Sequence, residues 1–174
     1  LAMAMWDGSA ANQDLFIRGN PKQPGKEVPR RMLQALGGQP IKVTDPGSGR
    51  LSLAAELVLG GRNPLVARVM VNRLWHHLFG RGLVPTVDNF GVQGQPPSHP
   101  ELLDWLADRF NRERWSIKTM IRRLVLSRTY RMSSRASAEA VVADPVNVWL
   151  HSMRVRRLQG EAIRDAMLSV SGRL

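Results

Sequence analysis

The 174-residue chain contains no cysteine. It therefore forms no disulfide, offers no thiolate to a metal or to a substrate, and carries no c-type haem attachment motif. Lysine is scarce: of 25 cationic side chains only 4 are Lys, and 21 are Arg. Aromatic residues make up 6% of the chain, as 5 Trp, 4 Phe and 1 Tyr. Long apolar runs are missing too. Leu65-Val66-Ala67 and Val69-Met70-Val71 are broken by Arg68 and Asn72, far short of the roughly 18 unbroken apolar residues of a membrane span. There is no GxSxG elbow, no HExxH pair, no phosphate-binding loop and no dinucleotide fingerprint. The Gly-containing passage Gly80-Arg81-Gly82 ends a helical pattern where a phosphate loop would open one.

What is present describes a basic helical protein. An apolar fraction of 43% excludes a disordered tail. A chain of this length buries about two-thirds of its unfolded surface without covalent staples, and it suits one domain, or one domain with an arm. The net charge of +11 is unevenly placed: residues 112–135 hold eight cations and one anion, a net of +7. Such a segment attracts polyanions, but it serves equally well as a solvated helix face. Only Trp115 and Tyr130 interleave with it, which gives no basis for specific nucleic-acid recognition.

Residues 1–50 are punctuated by Gly19-Asn20-Pro21, Gln23-Pro24-Gly25 and Asp45-Pro46-Gly47-Ser48-Gly49, turn signals that predict an extended arm packed on the domain. Residues 51–174 are expected to form an irregular helical bundle. A short helix from Leu51 is expected to stop at Gly60-Gly61. Asn63 as N-cap and Pro64 at the first helical position open the next helix, which Gly80 ends. Its apolar arc is Val66, Ala67, Met70, Val71, Leu74 and Leu78, with Arg68, Asn72 and His76 as a polar row at i, i+4, i+8.

An 18-residue loop, Gly80–Pro97, follows, longer than most connections. Ser98-His99-Pro100-Glu101 reads as a capping box before a helix from about His99 to Arg112, with Leu102, Leu103, Leu106 and Phe110 inward. Ser116 caps another helix, expected to reach about Arg131 with Ile117, Met120, Ile121, Leu124 and Val125 inward. Ser133–Ala143 reads as loop, Asp144-Pro145 as the start of a short helix. A last helix over about Leu158–Ser171 has Ile163, Ala166, Met167 and Val170 on its inward face. The fold class expected is mainly α, with an extended N-terminal arm and a long ordered loop.

Few residues offer chemistry. His76 and His77 are adjacent on a helix, about 100° apart, and do not converge on one metal; no metal site is expected. His99 stands at a helix N-terminus, where the dipole disfavours its protonation. With Asp88 or Asp104 it would make an acid–base pair; alone, it would lock the loop to the helix. Asp88 and Asp104 are also the carboxylates that a glycosidase-like pair would need.

Four passages are distinctive. They are Asn63-Pro64-Leu65-Val66-Ala67-Arg68-Val69-Met70-Val71-Asn72-Arg73-Leu74-Trp75, Phe79-Gly80-Arg81-Gly82-Leu83-Val84, Asp88-Asn89-Phe90-Gly91, and the run from Pro97-Ser98-His99-Pro100-Glu101 to Ala107. With Leu126-Ser127-Arg128-Thr129-Tyr130-Arg131 and Arg157-Leu158-Gln159-Gly160-Glu161-Ala162-Ile163-Arg164-Asp165, they resemble the planctomycete cytochrome-associated domain, the family of unknown function numbered 1553. Arg18-Gly19-Asn20-Pro21 with Pro24-Gly25 resembles the family's opening. The chain departs from the pattern at Arg114, where the family usually has Gly.

The resemblance implies a module of a large exported protein, periplasmic or on the cell surface, carrying a c-type cytochrome-like domain upstream. Any haem would belong to that partner domain, and no cofactor is expected within this chain. The family pattern continues past Ser171-Gly172, so a further C-terminal part is expected. No reaction comes with the resemblance, and whether the domain is an enzyme stays open. Its recurring polar positions give Arg68, Asn72, Arg73, Arg128, Tyr130, Arg131, Arg164 and Asp165 as candidate binding residues. Asp88, His99 and Asp104 are the candidate catalytic ones. The expected role is binding or scaffolding, with other domains of the same polypeptide, an extracellular polysaccharide or a polyanion as partners. The alternatives are catalysis on carbohydrate, assistance to redox chemistry, or polyanion binding through residues 112–135.

Overall fold

The computed structural model describes residues 11–41, 47–59 and 63–173. The predicted stop at Gly60-Gly61 and the turn residues Asp45-Pro46 lie outside them. The elements are β1 (Gln13–Phe16), β2 (Pro24–Val28), α1 (Arg50–Leu59), α2 (Pro64–Phe79), α3 (Pro100–Arg112), α4 (Ile117–Val125), α5 (Ala138–Ala143) and α6 (Gly160–Val170). The protein is mainly α, as its turn signals and helical periods predict. Among the described residues no helix is long and apolar enough to cross a membrane. The chain divides into two compact units, Leu1–Val66 and Ala67–Leu174.

In the first unit β1 and β2 pair antiparallel, with Gln13 opposite Val28 and Asp14 opposite Glu27, and an irregularity before Phe16 meets Pro24. The turn between them uses left-handed backbone at Arg18 (φ 52°) and Gly19 (φ 74°). Every residue of both strands is exposed. A lone two-stranded ribbon is marginal in water, and the like charges of Asp14 and Glu27 face each other across it. Within the segment predicted as an arm, residues 13–28 form this hairpin. Met32 is the one buried apolar residue among the described part of the unit. In α1 the Leu53 amide bonds to the Gly49 carbonyl at 2.9 Å.

The second unit holds the core. Asn63 opens α2 as predicted, its Oδ1 accepting from the Leu65 amide at 3.1 Å. Gly80 closes the helix in left-handed backbone at φ 82°. Ala67, Val71, Trp75 and Phe79 of α2 pack with Leu83 and Val84 of the long loop, with Leu103, Leu106, Ala107 and Phe110 of α3, and with Met120 and Leu124 of α4. Trp75 stacks on Phe79 at 4.0 Å between ring centroids, and Trp115 meets Phe110 edge-on at 5.0 Å. Burying one such side chain contributes about 1.5–3 kcal/mol.

Several expectations are corrected. Ser98 and Glu101 form no capping box: His99 holds the N-cap position of α3 with no side-chain cap bond, because Ser98 is bonded backward to Leu83. Ser116 does cap α4, accepting from Thr119 N, but α4 ends at Val125, and Ile117 and Ile121 are exposed at 45% and 37%. Ser137 caps a short α5 inside the stretch read as loop. No helix starts at Asp144-Pro145. Instead the Asp144 carboxylate accepts the Trp149 amide at 2.8 Å and shapes a loop with left-handed backbone at Asn147 and Leu150. In α6 the face read as inward is exposed.

The α3–α4 connection is the most strained turn of the unit. Arg114 and Trp115 are both left-handed, at φ 53° and 61°, where a non-glycine residue costs about 1–2 kcal/mol. Arg114 is exposed, and among the described residues its side chain has no hydrogen-bond partner. Arg114→Gly is expected to raise the melting temperature by a few degrees, corresponding to about 1 kcal/mol. A lower melting temperature by calorimetry contradicts this account of the turn.

Candidate functional site

The long loop and its two flanking helices collect most of the candidate residues. Asn72 sits in the middle of α2 and is fully buried. Its Nδ2 donates to the Val84 carbonyl at 3.0 Å, and its Oδ1 accepts the Val84 amide at 2.9 Å. One carboxamide thus replaces the strand partner that Val84 lacks. Gly82 is required for this approach: a Cβ there would lie 2.4 Å from Val84 O and 2.9 Å from the Asn72 amide atoms. Asn72, read in one polar row with Arg68 and His76, turns in to meet a loop that a helical wheel does not contain.

The other end of the loop is pinned beside the first. Ser98 donates to Leu83 O through its amide at 2.8 Å and through its hydroxyl at 3.2 Å. The His99 Nδ1 lies 2.9 Å from the Ser98 Oγ. The hydroxyl has one hydrogen, so when it points to Leu83 O the ring Nδ1–H donates to Oγ. The tip is closed by Thr86, whose hydroxyl donates to Asn89 O at 2.8 Å and accepts the Gln95 amide at 3.0 Å.

Two ion pairs lie over this frame. Arg68 of α2 reaches Asp104 of α3 at 2.6 Å, and Arg73 of α2 reaches Asp88 of the loop at 2.9 Å. Both are solvated, with the Asp88 side chain 88% exposed, so each contributes roughly 0–1 kcal/mol. Asp88, His99 and Asp104 are not joined to one another by any hydrogen bond or ion pair. Among the described residues no group of three or more His, Cys, Asp or Glu is placed to hold a metal.

The remaining candidates scatter. Tyr130 is half-buried, its ring edge-on to Phe79 at 5.6 Å. Arg128 and Arg131 are exposed and line one shallow groove with Thr129 and Met132. Arg164 and Asp165 approach only each other, at 3.6 Å on the surface of α6. Within residues 112–135, Arg112 pairs with Asp108 and Arg123 with Glu113. Arg114, Lys118, Arg122, Arg128, Arg131 and Arg135 are exposed without a carboxylate partner among the described residues.

Two arrangements escaped the sequence reading. Glu113 accepts from Arg123 and forms an ion pair with Arg109 at 3.3 Å, and both guanidiniums lie near 6 Å over the half-exposed Trp105 ring. The Trp105-Arg109-Glu113 spacing at i, i+4, i+8 was the available signal. The second is the 144–154 loop. Its Asp144 carboxyl is held below the ordinary 3.8 chiefly by the Val148 amide, against the opposing effect of burial, with the Trp149 amide and the charges of His151 and Arg154 helping. The Asn147 Nδ2 donates to Ser152 O at 2.7 Å, and Arg154 bonds the Val146 and Asn147 carbonyls.

Asn72→Ala removes both bonds to Val84 and leaves a buried N–H and C=O unpaired. It is expected to cost about 2–5 kcal/mol, whereas Arg73→Ala stays within about 0.5 kcal/mol of the parent. His99→Ala is expected to lower the melting temperature by less than Asn72→Ala. Denaturant unfolding ranks the three; an unchanged stability in Asn72→Ala contradicts the assignment.

Comparison with known proteins adds a family. A model of PSD1, a protein family of unknown function (DUF1553), matches residues 49–174. No curated protein and no solved structure matches the chain. The matched region begins at Gly49, just before α1, and contains the Asn72–Val84 bond, both ion pairs and α6. It spans well over half of the sequence, and the chain belongs to this DUF1553 family.

Proposed function

We propose that this domain is a non-catalytic docking and scaffolding module of a larger exported polypeptide that also carries a c-type cytochrome-like domain. The observation that carries the reading is the apolar strip on α6. Leu158, Met167 and Val170 are 62%, 68% and 91% exposed, and together with Ile163 and Ala166 they border one apolar depression. Monomeric proteins rarely leave such a strip to water, and contiguous exposed apolar surface marks interaction sites. An 11-residue helix is also marginal without tertiary packing. The state of the candidate catalytic groups supports the same reading. Asp88 and Asp104 are each taken by an arginine and His99 is turned to its neighbour Ser98, so none is poised against another for proton transfer.

The partners in this reading are other domains of the same polypeptide. Six exposed cations of residues 112–135 have no carboxylate partner among the described residues, which supports the polyanion alternative as a second activity of the same module.

The test is the double substitution Met167→Asp and Val170→Asp. In the isolated domain these side chains touch little, and the change is expected to stay within about 0.5 kcal/mol. In the longer polypeptide the strip is covered, and the same change is expected to cost several-fold more stability. Equal effects in both contexts overturn the docking role.

A further inference from the structure

The turn that ends α2, Gly80-Arg81-Gly82, is approached by a distant segment of the same unit. A small cavity beside it is lined by Trp75, Arg81, Ser98, Asn147, Leu150 and Arg154, among others. Arg156 lays its side chain across Gly80, so that a Cβ on Gly80 would stand 2.9 Å from Arg156 Cδ. Three arginines from two segments therefore gather at one turn. None of the three forms an ion pair among the described residues.

Their hydrogen bonds do not neutralise them either. Arg81 is half-buried and, among the described residues, its side chain has no hydrogen-bond partner. Arg154 donates only to the carbonyls of Val146 and Asn147 and keeps Nε buried without an acceptor. Asp144, the carboxylate of the same loop, accepts the Trp149 amide and acts on Arg154 only through its charge. Asp144 offsets part of the Arg154 charge, while Arg81 and Arg156 have no carboxylate partner among the described residues. Clustered cations with incomplete counter-charge raise the local potential, and the field is strongest where low-dielectric walls narrow the solvent. Here Trp75 and Leu150 supply such walls.

We infer that Arg81, Arg154 and Arg156 form a receptor for a single oxyanion. The cavity measures about 10 Å³, room for one oxygen atom of such a group, near the Ser98 hydroxyl. The other oxygens face the guanidiniums at the mouth, whose planar forks match carboxylate and phosphate geometry. The ligand chemistry is a phosphate or a carboxylate, free or borne on a partner's acidic side chain. The inference stands apart from the α6 reading, since it uses a different surface and a different force.

The experiment titrates the whole chain with inorganic phosphate, and separately with acetate, at constant ionic strength held by chloride. Melting temperature and the amide resonances of Arg81 and Gly82 are followed. A saturable response to one or both anions is expected, with apparent affinity falling at least tenfold in Arg81→Ala and unchanged in Arg173→Ala, at an exposed position on the chain's last turn. A stronger phosphate arm assigns the free or esterified phosphate, a stronger acetate arm the carboxylate. Arg154 also holds its loop, so Arg156→Ala serves as the second variant, expected to weaken binding while the fold stays intact. A response no different from that to chloride overturns the site. So does equal weakening by Arg81→Ala and Arg173→Ala, which makes the effect diffuse charge.

Discussion

The second unit depends on one buried carboxamide. A loop of about 20 residues between α2 and α3 must cross the core, because Leu83 and Val84 are part of that core. Buried backbone without a partner is costly, and the loop has no strand beside it. Asn72 supplies the missing partner, donating and accepting at Val84 as a neighbouring strand would. Gly82 clears the space and Ser98 ties the returning chain to Leu83. With those contacts made, Leu83 and Val84 close the core over Val71 and Phe79. Without them, the same apolar side chains would pull an unsatisfied backbone into the interior.

Much of the fold was legible, for identifiable reasons. Asn63-Pro64 and Gly80 bound α2 because caps act locally, through side chains and backbone within a few residues. The stripes of α3 were legible because Leu103, Leu106 and Phe110 repeat at the helical period and all face one core. Asn72 was not legible. A polar residue in register with Arg68 and His76 looks solvated, and its partner lies twelve residues away in a segment without a period. Ser98 failed as a cap for a related reason: the same hydroxyl suits a helix amide or a loop carbonyl, and only the fold decides which is near. The strained turn was legible only at Arg114, through the family's usual Gly at that position.

The last helix shows the limit of periodicity most clearly. Ile163, Ala166, Met167 and Val170 do line one face, as their spacing requires, yet the face is open. A period says that a helix has an apolar side; it does not say that anything in the same unit covers it. The candidate site has a comparable split. The polar residues that the resemblance singles out read as one set, but physically they divide into a buried bond at Asn72, solvated pairs at Asp88 and Asp104, and cations at Arg128 and Arg131 with no carboxylate partner among the described residues. Recurrence along a sequence does not distinguish a residue that holds the fold from one that meets a partner.

The most direct measurement of the central claim is native-state hydrogen exchange at a single amide, that of Val84. If the Asn72 carboxamide holds it inside the core, the Val84 N–H exchanges only through global unfolding, with protection equal to that of core amides in α2 and α3. Exchange at the rate of the exposed loop residues near Gly91 and Val92 would contradict the account, since the loop would then open independently of the core it is held to close.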